Sequence, residues 1–231
     1  MTAKRKNTWL SWSSGKDSAW ALQMLRQSDE YAVSGLFTTI NMAFDRVAMH
    51  AVRVDLLRAQ AQAVGLPLYL IEIPYPCSDA QYAAAMADFV ARAQSEGVQC
   101  MAFGDLYLED VRRYREERMQ GTGIAPVFPL WGKPTRALLD EMLAGGLRAC
   151  LTCVDPRVLP AAFAGCELDA ALVESMPDGI DPCGEKGEFH TFVFDGPMFR
   201  HPLAVAPGEV VTRDGFVFAD FSPAAAGAVA P

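Results

Sequence analysis

The first hundred residues alternate between two hydrophobic periods, and this alternation limits the fold more than any other feature. Trp9 to Trp12, Ala32 to Ile40 (AVSGLFTTI), Leu68 to Ile73 (LYLIEI) and Gln99 to Phe103 (QCMAF) are short apolar, β-rich runs. Between them, Ala19 to Gln27, Met49 to Val64 and Ser78 to Glu96 carry helical spacing, and the last two stop at Gly65 and Gly97. A short continuous apolar run marks a strand buried on both faces. Parallel strands need a long crossover, usually a helix, to return the chain to the same end of the sheet. The expected fold is therefore α/β, a doubly wound parallel sheet, followed by a smaller C-terminal α/β region.

The pattern breaks at Gly121 to Pro134 (GTGIAPVFPLWGKP), where Gly and Pro cluster. A boundary is expected there, with residues 1–123 as the first domain and 124–222 as a second, closing domain. Residues 223–231, rich in Ala and Pro, are expected to be a flexible tail. In the second part, Thr135 to Ala144 reads as a helix and Ala149 to Val154 as a strand. Asp178 to Glu188 (DGIDPCGEKGE) is a polar glycine-rich loop, and Phe189 to Phe194 alternates like a strand. Glu209 to Phe221 resembles a hairpin turning at Asp214-Gly215.

Composition excludes several classes. No apolar run approaches the roughly 20 residues that span a bilayer, and the basic MTAKRKN start leads into a strand rather than an apolar leader. The formal charge is −8 in 231 residues, a poor electrostatic match to nucleic acid. Six cysteines without a secretion signal suit a reducing compartment, so a cytoplasmic location is expected.

Chemistry concentrates at Ser13-Ser-Gly-Lys-Asp-Ser18, directly after the first strand. A glycine-bearing turn that opens a helix aligns several backbone N–H groups at the positive end of the helix dipole, which suits a phosphate. Ser13, Ser14, Gly15 and Ser18 add hydroxyl and amide donors, Lys16 a cation, and Asp17 a carboxylate suited to Mg²⁺. The spacing is not G-x-x-x-x-G-K-[ST]: Leu10 stands where that loop needs glycine and Asp17 where it needs Ser or Thr. Other candidates lie further along. Gly104-Asp105 ends a strand, the place where α/β sheets present groups to nucleotides. His50 follows the second strand, and Glu185, Glu188 and His190 cluster in and after the glycine-rich loop. The charged LEDVRRYREERM reads first as a solvated helix face with Glu–Arg pairs. Cys150-x-x-Cys153 with Cys166 and Cys183 lacks the second C-x-x-C of a zinc site.

The SSGKDS stretch resembles the PP-loop, S-G-G-x-D-S, of the ATP pyrophosphatases and adenine nucleotide alpha-hydrolases, with Ser14 where glycine is usual. The resemblance extends to the diphthine–ammonia ligase (diphthamide synthase domain) family. It runs through Met49-His50, Leu56-Leu57, Gln60-Ala61, Phe103-Gly104-Asp105, Pro129-Leu130-Trp131 and Gly184-Glu-Lys-Gly-Glu-Phe-His-Thr191. His190 stands where many members carry an acidic residue. The resemblance implies an ATP-dependent amide ligase. ATP and Mg²⁺ would lie at Ser13 to Ser18 with His50, Gly104 and Asp105, and the acceptor near Glu185 to Thr191. ATP would adenylate a carboxylate with loss of pyrophosphate, and ammonia would then displace AMP. Lys16, Asp17, Glu185, Glu188 and His190 are the implied catalytic residues, and the acceptor is an elongation factor 2-like protein or another small carboxylate. Alternatives are a non-catalytic adenine-nucleotide-binding regulator, or a PP-loop ligase or sulfur transferase with another substrate.

Overall fold

The computed structural model describes residues 4–41, 46–47 and 52–224. Strands β1 (Lys6–Ser11), β2 (Tyr31–Asn41), β3 (Arg46–Val47), β4 (Leu68–Ile73), β5 (Cys100–Ala102) and β6 (Ala125–Val127) build the first sheet. Helices α1 (Lys16–Gln27), α2 (Val54–Val64), α3 (Asp79–Ser95) and α4 (Glu109–Met119) alternate with them. Further along come α5 (Thr135–Ala144), β7 (Arg148–Val154), α6 (Ala170–Glu174), β8 (Phe189–Asp195), β9 (Val205–Arg213) and β10 (Phe216–Pro223).

Five of the first six strands pair in parallel in the order β4-β2-β1-β5-β6, and β3 adds antiparallel to the end of β2. The register runs Lys6 opposite Tyr31 and Thr8 opposite Cys100. The chain leaves β1 through α1 to β2 on one side, while β5 lies on the other. The strand order therefore reverses at β1, and the carboxyl end of β1 is the switch point where open α/β sheets bind ligands. The SSGKDS loop begins two residues after β1 ends.

Two compact units emerge from the packing. Among the described residues, one takes residues 4–13, 17–41, 46–47 and 66–132, and the other takes 14–16, 52–65 and 133–224. The first unit is centred on Trp9, Phe37, Ile71, Phe89, Met101 and Phe103, all buried. Trp9 stacks on Tyr69 with ring centroids 4.0 Å apart. Gly35 makes this stack possible, because a Cβ there would sit 2.7 Å from the Tyr69 ring. The second unit holds an antiparallel sheet in the order β8-β7-β10-β9. Its core includes Leu56, Leu57, Leu138, Leu139, Leu151, Phe192 and Val193.

Most sequence expectations hold at the level of elements. β4 and α5 coincide with the runs read from the sequence, and Ser78 caps α3 through a reciprocal capping box with Gln81. The β9–β10 hairpin turns at Asp214-Gly215, with φ of 52° and 82°, the two positive values a type I′ turn needs. Two differences stand out. The Gly/Pro-rich stretch after Gly121 contains β6, whose Pro126 is tolerated because the strand lies at the sheet edge. The helix expected from Met49 begins, among the described residues, only at Val54, and Met49 and His50 lie outside those residues.

Candidate active site

The loop after β1 contains one strained residue. Ser14 has φ of 71°, in the left-handed region that costs an L-residue energy and that glycine enters freely. This is a physical reason for glycine at the corresponding PP-loop position. Ser14 is fully buried, and its hydroxyl has no hydrogen-bond partner among the described residues. Ser13 Oγ donates to Ser18 Oγ at 3.2 Å across the start of α1, and Asp17 lies in the first turn of that helix. A carboxylate there is favoured by the helix dipole.

Gly104, at the end of β5, packs against this helix start. A Cβ at Gly104 would lie 2.9 Å from the Asp17 carbonyl carbon and 3.0 Å from the Ser18 nitrogen. Both are backbone atoms that no rotamer change can move aside. Gly104→Ala is therefore expected to displace the helix start. It should cost about 1–3 kcal/mol of stability by overpacking and raise the ATP Kd about tenfold. Calorimetric titration beside a thermal melt checks this; unchanged values for both would mean that the contact is not rigid.

Within the second unit, residues 14–16 are held by strand β8 and helix α2. The Val193 N–H donates to the Ser14 carbonyl at 3.0 Å, and the Lys16 N–H donates to Thr191 Oγ1 at 3.1 Å. Gln60, wholly buried on α2, donates through Nε2 to the Ser14 carbonyl at 3.0 Å and to the Val193 carbonyl at 2.6 Å. Lys16 is buried as well. Its ammonium donates to the Cys183 carbonyl and lies 5.5 Å from the centre of the Phe189 ring. The PP-loop lysine is thus anchored directly to the glycine-rich GEKGEFHT block.

That block is shaped by Glu188. Its carboxylate accepts the Asp181 N–H at 3.2 Å and the Lys186 N–H at 3.0 Å, and it is only 7 % exposed. Asp181 in turn accepts the Cys183 N–H at 2.9 Å, and the Glu188 carbonyl accepts the Asp155 N–H at 2.9 Å. Gly184, with φ of 67°, passes so close to Phe189 that a Cβ would meet the ring and carbonyl at 2.9 Å. Glu185 is half-buried on the same loop.

His190 follows on β8. Burial, and secondly the positive charge of Lys16, lower its pKa from the ordinary 6.5 to about 4. The imidazole is therefore neutral at physiological pH. Because its folded pKa is depressed, the unfolded chain binds more protons between about pH 6.5 and 4. The stability due to neutral His190 is complete above pH 6.5 and is lost as pH falls through this window. Denaturant unfolding of the wild type and His190→Phe from pH 7.5 to 4 should show a shallower acid loss in the variant. The expected difference is on the order of 2 kcal/mol at the acid end, and parallel curves would contradict the assignment.

Asp105 and Arg115 form an ion pair in the first unit, with Arg115 Nη2 donating to Asp105 Oδ1 at 3.1 Å. The Arg115 guanidinium also lies over Phe103 at 4.4 Å. Arg112 pairs with Glu116 and covers Phe128 and Trp131. The charged helix α4 therefore spends two of its arginines on Asp105, Glu116 and neighbouring rings. Trp9, Trp12 and Trp20 are core residues, and His201 is exposed. All six cysteines are free thiols. Burial raises Cys150 to about 12 and Cys153 to about 11, which keeps them protonated and poorly nucleophilic. In the sequence Gln60 and Thr191 stand only within motif blocks, and Arg115 only within the charged LEDVRRYREERM stretch. Their hydrogen bonds reach across 46, 175 and 10 residues, which no local spacing reports.

Fold and loop together define a nucleotide-binding α/β protein of the PP-loop class. The diphthamide synthase N-terminal domain model matches residues 6–125, and the diphthamide synthase C-terminal domain model matches residues 134–219. The chain is 29 % identical over 225 residues to a diphthine–ammonia ligase of Danio rerio, covering 86 % of this chain and 81 % of the relative. It is 30 % identical over 192 residues to the diphthine–ammonia ligase of Homo sapiens, covering 76 % and 70 %. The chain belongs to the diphthamide synthase family, and it is an ATP-using ligase. No helix among the described residues is long and apolar enough to cross a membrane.

Proposed function

We propose that this chain amidates a carboxylate with ammonia at the expense of ATP, cleaving the nucleotide between its α- and β-phosphates. The carrying observation is the hydrogen bond from the Lys16 N–H to Thr191 Oγ1, which joins the phosphate loop to the GEKGEFHT block. The acceptor carboxylate oxygen attacks the α-phosphorus and pyrophosphate leaves. Ammonia then attacks the acyl carbon, loses a proton, and AMP departs with the oxygen. A carboxylate is a poor electrophile, and adenylation gives it a leaving group.

In this reading the backbone N–H groups of Ser13 to Ser18 and the Lys16 ammonium receive charge that develops on pyrophosphate. Ser14 offers the triphosphate a buried hydroxyl. Gly104 and Asp105 line the nucleotide side, and His50 is a further nucleotide ligand. Mg²⁺ usually binds through one or two carboxylates plus substrate phosphates. Asp17 fits that donor set, and the described residues form no three-ligand cage. Bound there, the ion would neutralise phosphate charge. Glu185 is assigned to ammonium capture and proton removal. Glu188 shapes the loop that carries Glu185. Neutral His190 serves as a hydrogen-bonding group to the acceptor rather than as a base, since an imidazole whose protonated form has a pKa near 4 takes up a proton only weakly at neutral pH.

The acceptor we favour is diphthine on an elongation factor 2-like protein, because the relatives named above are diphthine–ammonia ligases. Residues 1–123 would serve ATP and 124–222 the acceptor, a division supported by where the two family models meet. A cytoplasmic location follows from that acceptor. The test is product analysis of ATP with Mg²⁺, ammonium and a diphthine-bearing elongation factor. AMP and pyrophosphate formed only with all four components would establish the reaction. ADP as the nucleotide product would overturn it, and AMP formation with small carboxylates alone would replace the acceptor.

A further inference from the structure

The antiparallel sheet of the second unit has two edges of different character. The β8 edge is engaged, since Val193 donates to the Ser14 carbonyl and Gln60 donates to the Val193 carbonyl. At the other edge, β9 pairs only with β10 among the described residues. From Pro207 to Arg213 every β9 residue is exposed, on both faces of the strand, and Val210 and Val211 are 58 % and 46 % exposed. An open edge with two exposed valines templates further pairing unless something blocks it. Pro207 and Gly208 block the first part. Glu209-Val-Val-Thr-Arg213 has no such protection, and no lysine stands on it.

We propose that β9 is the interface of a two-fold dimer, in which residues 209–213 of two copies pair antiparallel and join their sheets. The occupant follows from the charges. A two-fold axis perpendicular to a sheet must pass a residue opposite its own copy, so only a few registers exist. Centring on Glu209 sets like charges against each other. Centring on Val210 leaves Arg213 against Pro207, and centring on Thr212 sets Arg213 against Val211. Centring on Val211 places Glu209 opposite the second copy's Arg213, twice by symmetry, with Val211 on Val211 and Val210 on Thr212. Opposite charges facing each other across strands are favourable, and like charges are not. Glu209 has no ion-pair partner among the described residues. Arg213 lies over Phe218 at 5.0 Å and is 3.9 Å from exposed Asp214, so its guanidinium is already held on the sheet. This proposal is independent of the reaction.

Sedimentation velocity over a micromolar concentration series tests it with the full chain. The wild type is expected to sediment as a reversible dimer of twice the chain mass. Val211→Lys should give monomer that melts like the wild type diluted below its dimer Kd, because Val211 is exposed. Glu209→Arg should raise the dimer Kd about tenfold or more, by setting two pairs of like charges opposite each other. Glu209→Arg combined with Arg213→Glu should restore the wild-type Kd to within about threefold, since the pairs are then merely exchanged. A wild type that is monomeric throughout overturns the proposal. So does a dimer indifferent to Val211→Lys, or a double variant no better than Glu209→Arg alone.

Discussion

Asp17→Asn is expected to leave the protein folded and lower AMP formation by on the order of 10²–10³-fold, the range for losing one preorganised electrostatic group. The substitution keeps side-chain shape and removes one negative charge from the first turn of α1. Its structural cost includes the lost interaction with the helix dipole, about 0.3–1 kcal/mol. For a chain of this size that lowers Tm by only about 1–4 °C. Stability and turnover therefore separate cleanly. If the carboxylate serves the metal-bound triphosphate, the defect should appear in kcat, and added Mg²⁺ should partly relieve it. A variant with wild-type turnover would remove Asp17 from the site. A variant that loses turnover and melts much lower would make Asp17 a structural residue.

The parts of this protein legible in its sequence are those set by local patterns. Leu68 to Ile73 and Thr135 to Ala144 announce their elements because one apolar period runs uninterrupted through each. Ser78 and Gln81 announce a helix start because a capping box is a four-residue signal. The phosphate loop is visible for the same reason. β6 was hidden because an edge strand of three residues, Ala-Pro-Val, carries no usable period and contains a residue that usually ends strands. The tasks of Gln60, Thr191 and Glu188 were hidden for a different reason. In the sequence Glu188 is one of two glutamates in a glycine-rich loop, both implied catalytic by the resemblance, and only the fold shows it buried on two backbone N–H groups. Glu185, three residues earlier in the same loop, is chemically identical and has a different environment. Sequence supplies residue types at a spacing, whereas burial assigns their tasks.

That distinction gives Glu188 the second large effect. Glu188→Ala would strip the acceptor from the Asp181 and Lys186 N–H groups together. Hydrogen bonds to a charged group contribute about 1.5–3 kcal/mol each, and an abandoned buried donor costs at least as much. A loss of about 3–5 kcal/mol is expected, or a fall in Tm of roughly 10 °C. ATP affinity should fall with it, because the Cys183 carbonyl that holds Lys16 lies inside the same loop. Glu188→Gln keeps one acceptor oxygen but turns an NH₂ toward the second N–H, so it should land between wild type and alanine. Melts, ATP titration and hydrogen exchange over residues 181–188 read these effects separately. A positioning role requires faster exchange in that loop and a graded series, wild type above glutamine above alanine, in both stability and affinity. Turnover lost in both variants with melting and exchange unchanged would reverse the assignment. Glu188 would then act on ammonia directly, and its two backbone hydrogen bonds would serve to aim a catalytic carboxylate rather than to build the loop.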